Sequence, residues 1–303
     1  MRILITTPTG HIGSRIVDRL LTSGHDLTVL ARAPGKLPEP VREGVTVVEG
    51  SLEDAAAVDR ALAGADAAFF LIPPPAPSVP HWRQWQEATG RTLAAAAAKA
   101  HVPRVVFLSS IAAQHDDVGA ISGLGAVERI LDAALPNVVS LRAGYFMENY
   151  FGSLPTIAVP GAVFGVFDGT SKMQIVATSD IGDIAARWLV DDSWTGHHKV
   201  GAHGPEPLTQ DEVVAILSEV LERPVGYVRI PPPSLRDALL QAGLPPLFAE
   251  GYEEMMGGLA PHLASGDYLA EPHNANPSGG VSFRTFAQQA LRPAFEAQAL
   301  ASA

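Results

Sequence analysis

Through its first 150 residues the chain alternates short apolar runs with stretches whose apolar residues recur at helical spacing. That pattern predicts strands alternating with helices. Arg2 to Thr7 reads as a strand. His11 to Ser23 reads as a helix that puts Ile12, Ile16, Val17, Leu20 and Leu21 on one face and stops at Gly24. Further strands are expected over Leu27 to Ala31, Val45 to Glu49, Ala67 to Ile72, Arg104 to Ser109 and Val138 to Leu141. Helices are expected over Glu53 to Ala63, Trp82 to Ala100 and Gly125 to Ala134, and Pro73-Pro74-Pro75 stops the fourth strand. Strands and helices in this order predict an α/β fold built on a Rossmann-type, doubly wound parallel sheet.

Beyond Tyr150 the rhythm breaks. Pro155, Pro160, Gly161, Gly165 and Gly169 interrupt short, irregular strands. Asp180 to Leu189 reads as a helix with Asp180 and Asp183 near its start, and Leu208 to Leu221 as another with Thr209 as N-cap and Asp211 and Glu212 in the first turn. Val225 to Ile230 reads as a strand, followed by Pro231-Pro232-Pro233 and two more helices. The expected organisation is a dinucleotide-binding domain over 1–152, joined by elements around 178–202. A smaller C-terminal α+β substrate lobe takes 153–177 and 203–303. Glu271 to Gly280 reads as an exposed loop and the end from Ala297 as frayed.

Composition narrows the function. With 303 residues and 47% hydrophobic content, the chain can bury a sizeable core. It has no cysteine, which excludes disulfides, thiolate metal sites and cysteine nucleophiles. The N-terminus lacks the apolar core of a signal peptide, and no apolar run is long enough to span a membrane, so a cytoplasmic protein is expected. A net charge of −11 argues against nucleic acid as a partner. Lysine is confined to Lys36, Lys99, Lys172 and Lys199.

The sharpest motif is Thr-Thr-Pro-Thr-Gly-His-Ile-Gly, Thr6 to Gly13, between the first strand and the first helix. In a dinucleotide fold such a turn brings backbone N–H groups and a helix N-terminus against the pyrophosphate. Gly10 permits close approach of the backbone, Gly13 lets the helix pack tightly, and Thr7 and Thr9 offer hydroxyls. Read alone, the same residues are only a strand–helix turn; the strand before and the helix after favour the phosphate reading. The end of the second strand carries Arg32, then Lys36, with no acid before Glu39. NAD sites place an acid there for the ribose hydroxyls, whereas a guanidinium matches a 2′-phosphate, so NADP(H) is expected over NAD(H).

Five motifs follow in order, TPTGHIG, LARAPGK, EGSLED, RVVFLSSIA and LRAGYFMENY, and SDIGDIAARWL and GPEPLTQDEV extend the pattern to about Val228. On these motifs the chain resembles the NmrA-like group of atypical short-chain dehydrogenase/reductases, which includes quinone reductases, phenylpropanoid reductases and redox-sensing regulators. The resemblance implies that Thr7, Thr9, Gly10, His11, Ile12 and Gly13 hold the pyrophosphate and Arg32 the 2′-phosphate. It places Gly50, Ser51 and Leu52 along the adenine and Ile72 and Pro73 on the ribose side. Ser109, Ser110, Gly144, Tyr145 and Phe146 would face the nicotinamide, and Pro74, Trp82, Asn149 and Tyr150 the substrate. Three departures stand out. Thr7 replaces the group's first glycine, Ser51 replaces an aspartate, and the Tyr-x-x-x-Lys pair is missing. Leu124 and Gly125 occupy the region where the group's helix lysine would fall.

Without that pair, ordinary alcohol dehydrogenation is disfavoured. The expected activity is NADPH-dependent reduction of a conjugated, quinone-like or imine-type small molecule, with Tyr145 or Ser110 as proton donor or anion stabiliser. A non-catalytic NADP(H) sensor and a lyase or isomerase on the same fold are the alternatives, and a homodimer is compatible with the sequence. Tyr145, Phe146 and Tyr150 read equally well as an aromatic cluster between the lobes. Ser109 and Ser110 could simply bond at a strand end. Trp82 and Trp85 either cover the sheet or stack on a substrate. His197, His198 and His203 suggest no metal site, since adjacent strand residues point to opposite faces. His101 reads as a left-handed helix cap, and Glu128 as a structural acid.

Overall fold

The computed structural model describes residues 1–76, 78–271, 273–276 and 279–301. Its centre is β1 (Arg2–Thr6), where Ile3 and Ile5 face one layer of helices and Leu4 the other. Around it lie β2 (Asp26–Ala31), β3 (Thr46–Glu49), β4 (Ala67–Phe70), β5 (Arg104–Ser110) and β6 (Val138–Ala143), all parallel. The strand order 6-5-4-1-2-3 is the doubly wound arrangement expected. Helix α1 (His11–Leu20) packs on one face. The other face carries α3 (Ala55–Leu62), α4 (Trp82–Lys99) and α5 (Ala120–Ala134), while a short α2 (Glu39–Gly44) leads into β3.

The sheet is wider than the six strands expected. After β7 (Tyr145–Phe146), α6 (Leu154–Ala158), β8 (Ala162–Gly165), β9 (Met173–Val176) and α7 (Thr178–Val190), the chain returns as β10 (His197–Ala202). This strand extends the sheet beyond β6, and β13 (His273–Asn274) pairs outside it. Both were hidden by composition: β10 reads His-His-Lys before it turns apolar, and β13 lies inside the stretch expected to be an exposed loop. Of that stretch, Pro272, Pro277 and Ser278 lie outside the described residues, as do Ser302 and Ala303 of the expected frayed end.

The second core belongs to β7, β9 and β11 (Pro207–Leu208), with α8 (Gln210–Val220), β12 (Gly226–Arg229) beside β8, α9 (Pro232–Gln241) and α10 (Pro246–Ser265). Thr209 caps α8 as expected, accepting from the Glu212 N–H while the Glu212 carboxylate accepts from Thr209 N–H. Among the described residues no helix is long and apolar enough to cross a membrane.

What ties α1 down is α7. Asp183 accepts paired hydrogen bonds from Arg15 (2.7 and 2.9 Å) and Arg19 (2.7 and 2.7 Å). It is thus not a helix-start residue, as expected, but a cross-helix clamp one turn further in. Partial burial pushes its pKa up, but the guanidinium hydrogen bonds of Arg19 and Arg15 outweigh that and hold it well below the usual carboxylate range. A lowered carboxyl contributes stability that is full above the unfolded value of about 3.9 and is lost as pH falls through the folded one. Asp183→Asn is therefore expected to cost about 1 kcal/mol near neutrality, and chemical denaturation should show the difference from wild type shrinking below about pH 4.

Candidate active site

The turn after β1 has the geometry of an anion cradle. Thr7 stands in the left-handed region at φ 52°, a conformation that costs a β-branched residue about 1–2 kcal/mol. Gly10 N–H donates to Thr7 O at 3.1 Å, and α1 begins one residue later with no side chain capping its first turn. A Cβ at Gly13 would lie 2.2 Å from Thr7 O, so only glycine lets the helix start this close to the turn. Thr9, Gly10 and His11 are exposed at the rim, while Ile12 is anchored in the core. The buried hydroxyl of Thr7 has no hydrogen-bond partner, and neither does that of Ser109 at the end of β5. Two orphaned hydroxyls at the carboxyl ends of parallel strands are what a polar ligand lying across this edge would satisfy.

Along the same edge, Arg32 and Lys36 are exposed just past β2, and neither has a side-chain partner among the described residues. Gly50 follows β3. Ser51 uses its hydroxyl locally, accepting from Glu53 N–H at 3.3 Å, and Leu52 is buried under α3. Ile72 is likewise a core side chain, so it could offer a ribose only its backbone; Pro73 is half-buried and Pro74 exposed.

At the other end of the edge, Gly144 N–H donates to Ala202 O at 3.1 Å and turns the chain from β6 into β7. Ser110, half-buried at the end of β5, pairs in register with Ala143. Phe146 packs on the sheet-side core, whereas Tyr145 turns to the lobe. The Tyr145 ring meets Tyr150 edge-on at 5.9 Å and Phe167 at 6.3 Å. Burial pushes its pKa well up, with the Tyr252 and Tyr150 hydroxyls adding to the rise and a hydrogen bond from Asn149 opposing it. Tyr145 is therefore a neutral hydroxyl, held between the side chains of Asn149 and Tyr252.

Two sequence expectations change. Tyr150 is a core residue: it is 3% exposed, and its hydroxyl donates to Gln210 Oε1 at 3.0 Å, so it does not sit at a substrate mouth. Trp82 neither covers the sheet nor stands open to a substrate; its ring packs 5.4 Å from Phe248 of α10. Trp85 joins the core on the α3–α5 face. The residue that sequence reasoning missed is Tyr252, also on α10, stacked 5.9 Å from Phe248 at 10°. The spacing of Phe248, Tyr252, Met256 and Leu259 marks that face of α10 as inward, but nothing in it marked Tyr252 as part of a site.

The missing lysine has a steric counterpart. A Cβ at Gly125 would lie 1.9 Å from Ala113 O, so the β5–α5 loop lies directly on α5 and fills the place of any side chain. Nearby cations are engaged elsewhere: Arg142 donates to both carboxylate oxygens of Glu128 at 3.0 and 2.8 Å, and Lys199 to Asp132 at 2.9 Å. Glu128 is the structural acid expected. His197 and His198 bond to different carbonyls, Leu135 O and Thr195 O, and burial lowers the pKa of His203 to about 4. His101 adopts φ 52° past the end of α4.

A family model described as the NmrA-like family matches residues 1–262. The chain is 34% identical over 256 residues to a (4-alkanoyl-5-oxo-2,5-dihydrofuran-3-yl)methyl phosphate reductase of Streptomyces griseus, covering 82% of this chain and 84% of that protein. It is 29% identical to an NAD(P)H azoreductase of Xenophilus azovorans, covering 94% and 96%. Among solved structures, the Citrobacter sp. triphenylmethane reductase complexed with NADP(H) superposes with a TM-score of 0.78 at 19% identity, covering 95% of this chain and 99% of that one.

The contact at Gly125 predicts that a lysine cannot be grafted back alone. Gly125→Lys should destabilise the fold by about 1–3 kcal/mol, measured by denaturant unfolding, and should not create a dehydrogenase acting on simple alcohols.

Proposed function

The chain belongs to the NmrA-like family, and from that premise we propose that it is an NADPH-dependent reductase of conjugated, quinone-like or imine-type small molecules. The observation that carries this reading is the closed position at Gly125. It leaves Tyr145 as a neutral hydroxyl among aromatic rings, with no lysine in the place from which one would help it ionise.

The turn fits a dinucleotide: the unpartnered Thr7 and Ser109 hydroxyls and the uncapped start of α1 all look for acceptor oxygens or polar edges. Thr7, Thr9, Gly10, His11, Ile12 and Gly13 would hold the pyrophosphate, Arg32 and Lys36 the 2′-phosphate. NADH would leave those two cations without an anion, which is the reason to prefer NADPH. Gly50, Ser51 and Leu52 would line the adenine and Ile72 and Pro73 the ribose. Bound there, NADPH supplies a hydride.

The protein's own part is to receive charge at the acceptor. Tyr145 would donate its hydrogen bond to the acceptor oxygen or nitrogen, while the Asn149 amide supports the Tyr145 oxygen from behind and Tyr252, which accepts from the Tyr145 hydroxyl in the structure, keeps it protonated. A hydroxyl whose ionisation is made harder by burial stabilises an anion better than it surrenders a proton. That suits acceptors whose negative charge after hydride transfer is delocalised, such as a quinone or an enone; an iminium ion becomes a neutral amine on taking the hydride and needs no proton donor. The Streptomyces relative's named substrate, an oxo-dihydrofuran bearing an alkanoyl group, is of this conjugated kind. Ser110, at the end of β5, would offer a second hydroxyl on the same sheet edge, and the stacked Phe248 and Tyr252 rings of α10 would cover the acceptor from the lobe side.

Purified protein should oxidise NADPH, followed by its absorbance, with a panel of quinones and enones but not with simple ketones. Tyr145→Phe should lower kcat/KM by about 10- to 100-fold, one hydrogen bond to developing charge. Arg32→Ala should weaken NADPH binding by about tenfold or more in calorimetry and leave NADH binding unchanged. NADPH binding without turnover on any acceptor would favour the sensor reading, and no binding of either dinucleotide would favour a lyase or isomerase.

A further inference from the structure

Helix α10 carries Tyr252 to the candidate site, and what holds α10 in place lies at its far end. Its hairpin partner α9 has no fully buried residue, so the anchorage of the pair falls on α10 itself. Towards the C-terminus α10 nests on the β5–α5 loop: a Cβ at Gly258 would lie 2.3 Å from Asp117 O. One turn further comes His262. Its Nδ1 lies 2.9 Å from Asp267 Oδ1 and its Nε2 2.9 Å from Asp117 Oδ1, and the His115 ring stacks on it at 3.7 Å and 16°. A ring with a carboxylate oxygen at each nitrogen bonds both only when both nitrogens carry protons.

We propose that His262 is a positioning residue: as an imidazolium tied to Asp117 and Asp267, it pins α10 to the β5–α5 loop and thereby holds Tyr252 against Tyr145. The two residues are ten apart on one helix, about 15 Å along its axis, so release of the pin frees the segment that roofs the pocket. The effect on catalysis rests on the reductase reading; the pin itself does not.

The groups facing the ring are consistent with it. From the loop come His115 and Asp117, while the neighbouring Asp116 is engaged by Arg83 and Arg129 instead. From the segment after α10 comes Asp267, which also accepts from Ser265. Burial opposes the charge on His262, but Asp117 and Asp267 outweigh it and raise its pKa. A raised histidine gives a contribution that is full below the unfolded value of about 6.5 and is lost as pH rises through the folded one. The competing occupant is a divalent transition-metal ion, since donor atoms of His115, Asp117 and His262 lie within 4.8 Å of one another. The stacked, nearly parallel rings argue against it, because their nitrogens do not converge on one point.

The test is hydrogen-exchange mass spectrometry of the full chain, comparing wild type with His262→Gln and Asp117→Asn at each pH so that intrinsic exchange cancels. Peptides covering 246–265 should be about tenfold better protected in wild type at pH 6 and should converge on the variants as pH rises, while sheet peptides stay the same. Once an acceptor is in hand, its KM should rise in His262→Gln and the KM for NADPH should not. Equal protection of α10 in wild type and variants at every pH would overturn the proposal, whatever the activity. So would protection that appears only with added zinc and vanishes with a chelator, which would assign the cluster to a metal. Absence of turnover with every acceptor, with the exchange result intact, would count against the reductase reading alone.

Discussion

The approach of α1 to the carbonyl of Thr7 is the constraint from which the rest of the molecule follows. Because Gly13 has no side chain, the helix starts directly on the turn, and the turn in turn forces Thr7 into a left-handed conformation. A β-branched residue there is strained, and its hydroxyl is left buried without a partner. Backbone strain and an unmet hydroxyl in the same residue are tolerable where a ligand repays them and costly elsewhere. The supporting structure is correspondingly stiff. Asp183 gathers Arg15 and Arg19 from α1 onto α7, so the helix that points at the cradle cannot tilt without breaking four charged hydrogen bonds.

At the other end of the sheet edge the same kind of backbone contact works by exclusion. Ala113 O occupies the space that a side chain at position 125 would need, which moves the β5–α5 loop onto the helix. The cations near this helix are engaged by acids: Arg142 from β6 and Lys199 from β10 pair with Glu128 and Asp132. Both cations are tied to structural acids, so they stabilise the α5–sheet joint, while Tyr145 is left with neutral neighbours. The chemistry open to the pocket is set by where the cations went as much as by which hydroxyls remain.

How much of this could be read from the chain alone depends on how local the cause was. The central sheet announced itself because each strand is a run of apolar residues bounded by glycine or proline, and the tight Thr6–Gly13 turn because its residues are contiguous. β10 was obscured because its first half faces an edge where His197, His198 and Lys199 find carbonyls and a carboxylate. Tyr150 was placed at the substrate by resemblance alone, with an aromatic cluster as the alternative, and the seven-residue turn Met147–Ser153 rotates it into the lobe core against Gln210 and Phe283. Tyr252 was beyond reach for the opposite reason. It lies 107 residues after Tyr145, and only the folded lobe brings the two hydroxyls together.

That separation explains how a chain of this kind can keep its cofactor edge and still change what it acts on. The candidate dinucleotide residues sit on strand ends and turns whose positions are dictated by the sheet, and altering them disturbs the core beneath. Tyr252 is held differently: it is carried by α10, whose hairpin partner buries nothing fully and whose far end meets the β5–α5 loop through His262 and Asp117. A substitution along α10 can reshape the acceptor side without reaching the phosphate turn, and a change at the pin can shift the whole helix at once. On the proposed reading, selectivity for the acceptor belongs to the part of the chain least visible in the motifs, and dinucleotide binding to the part most visible.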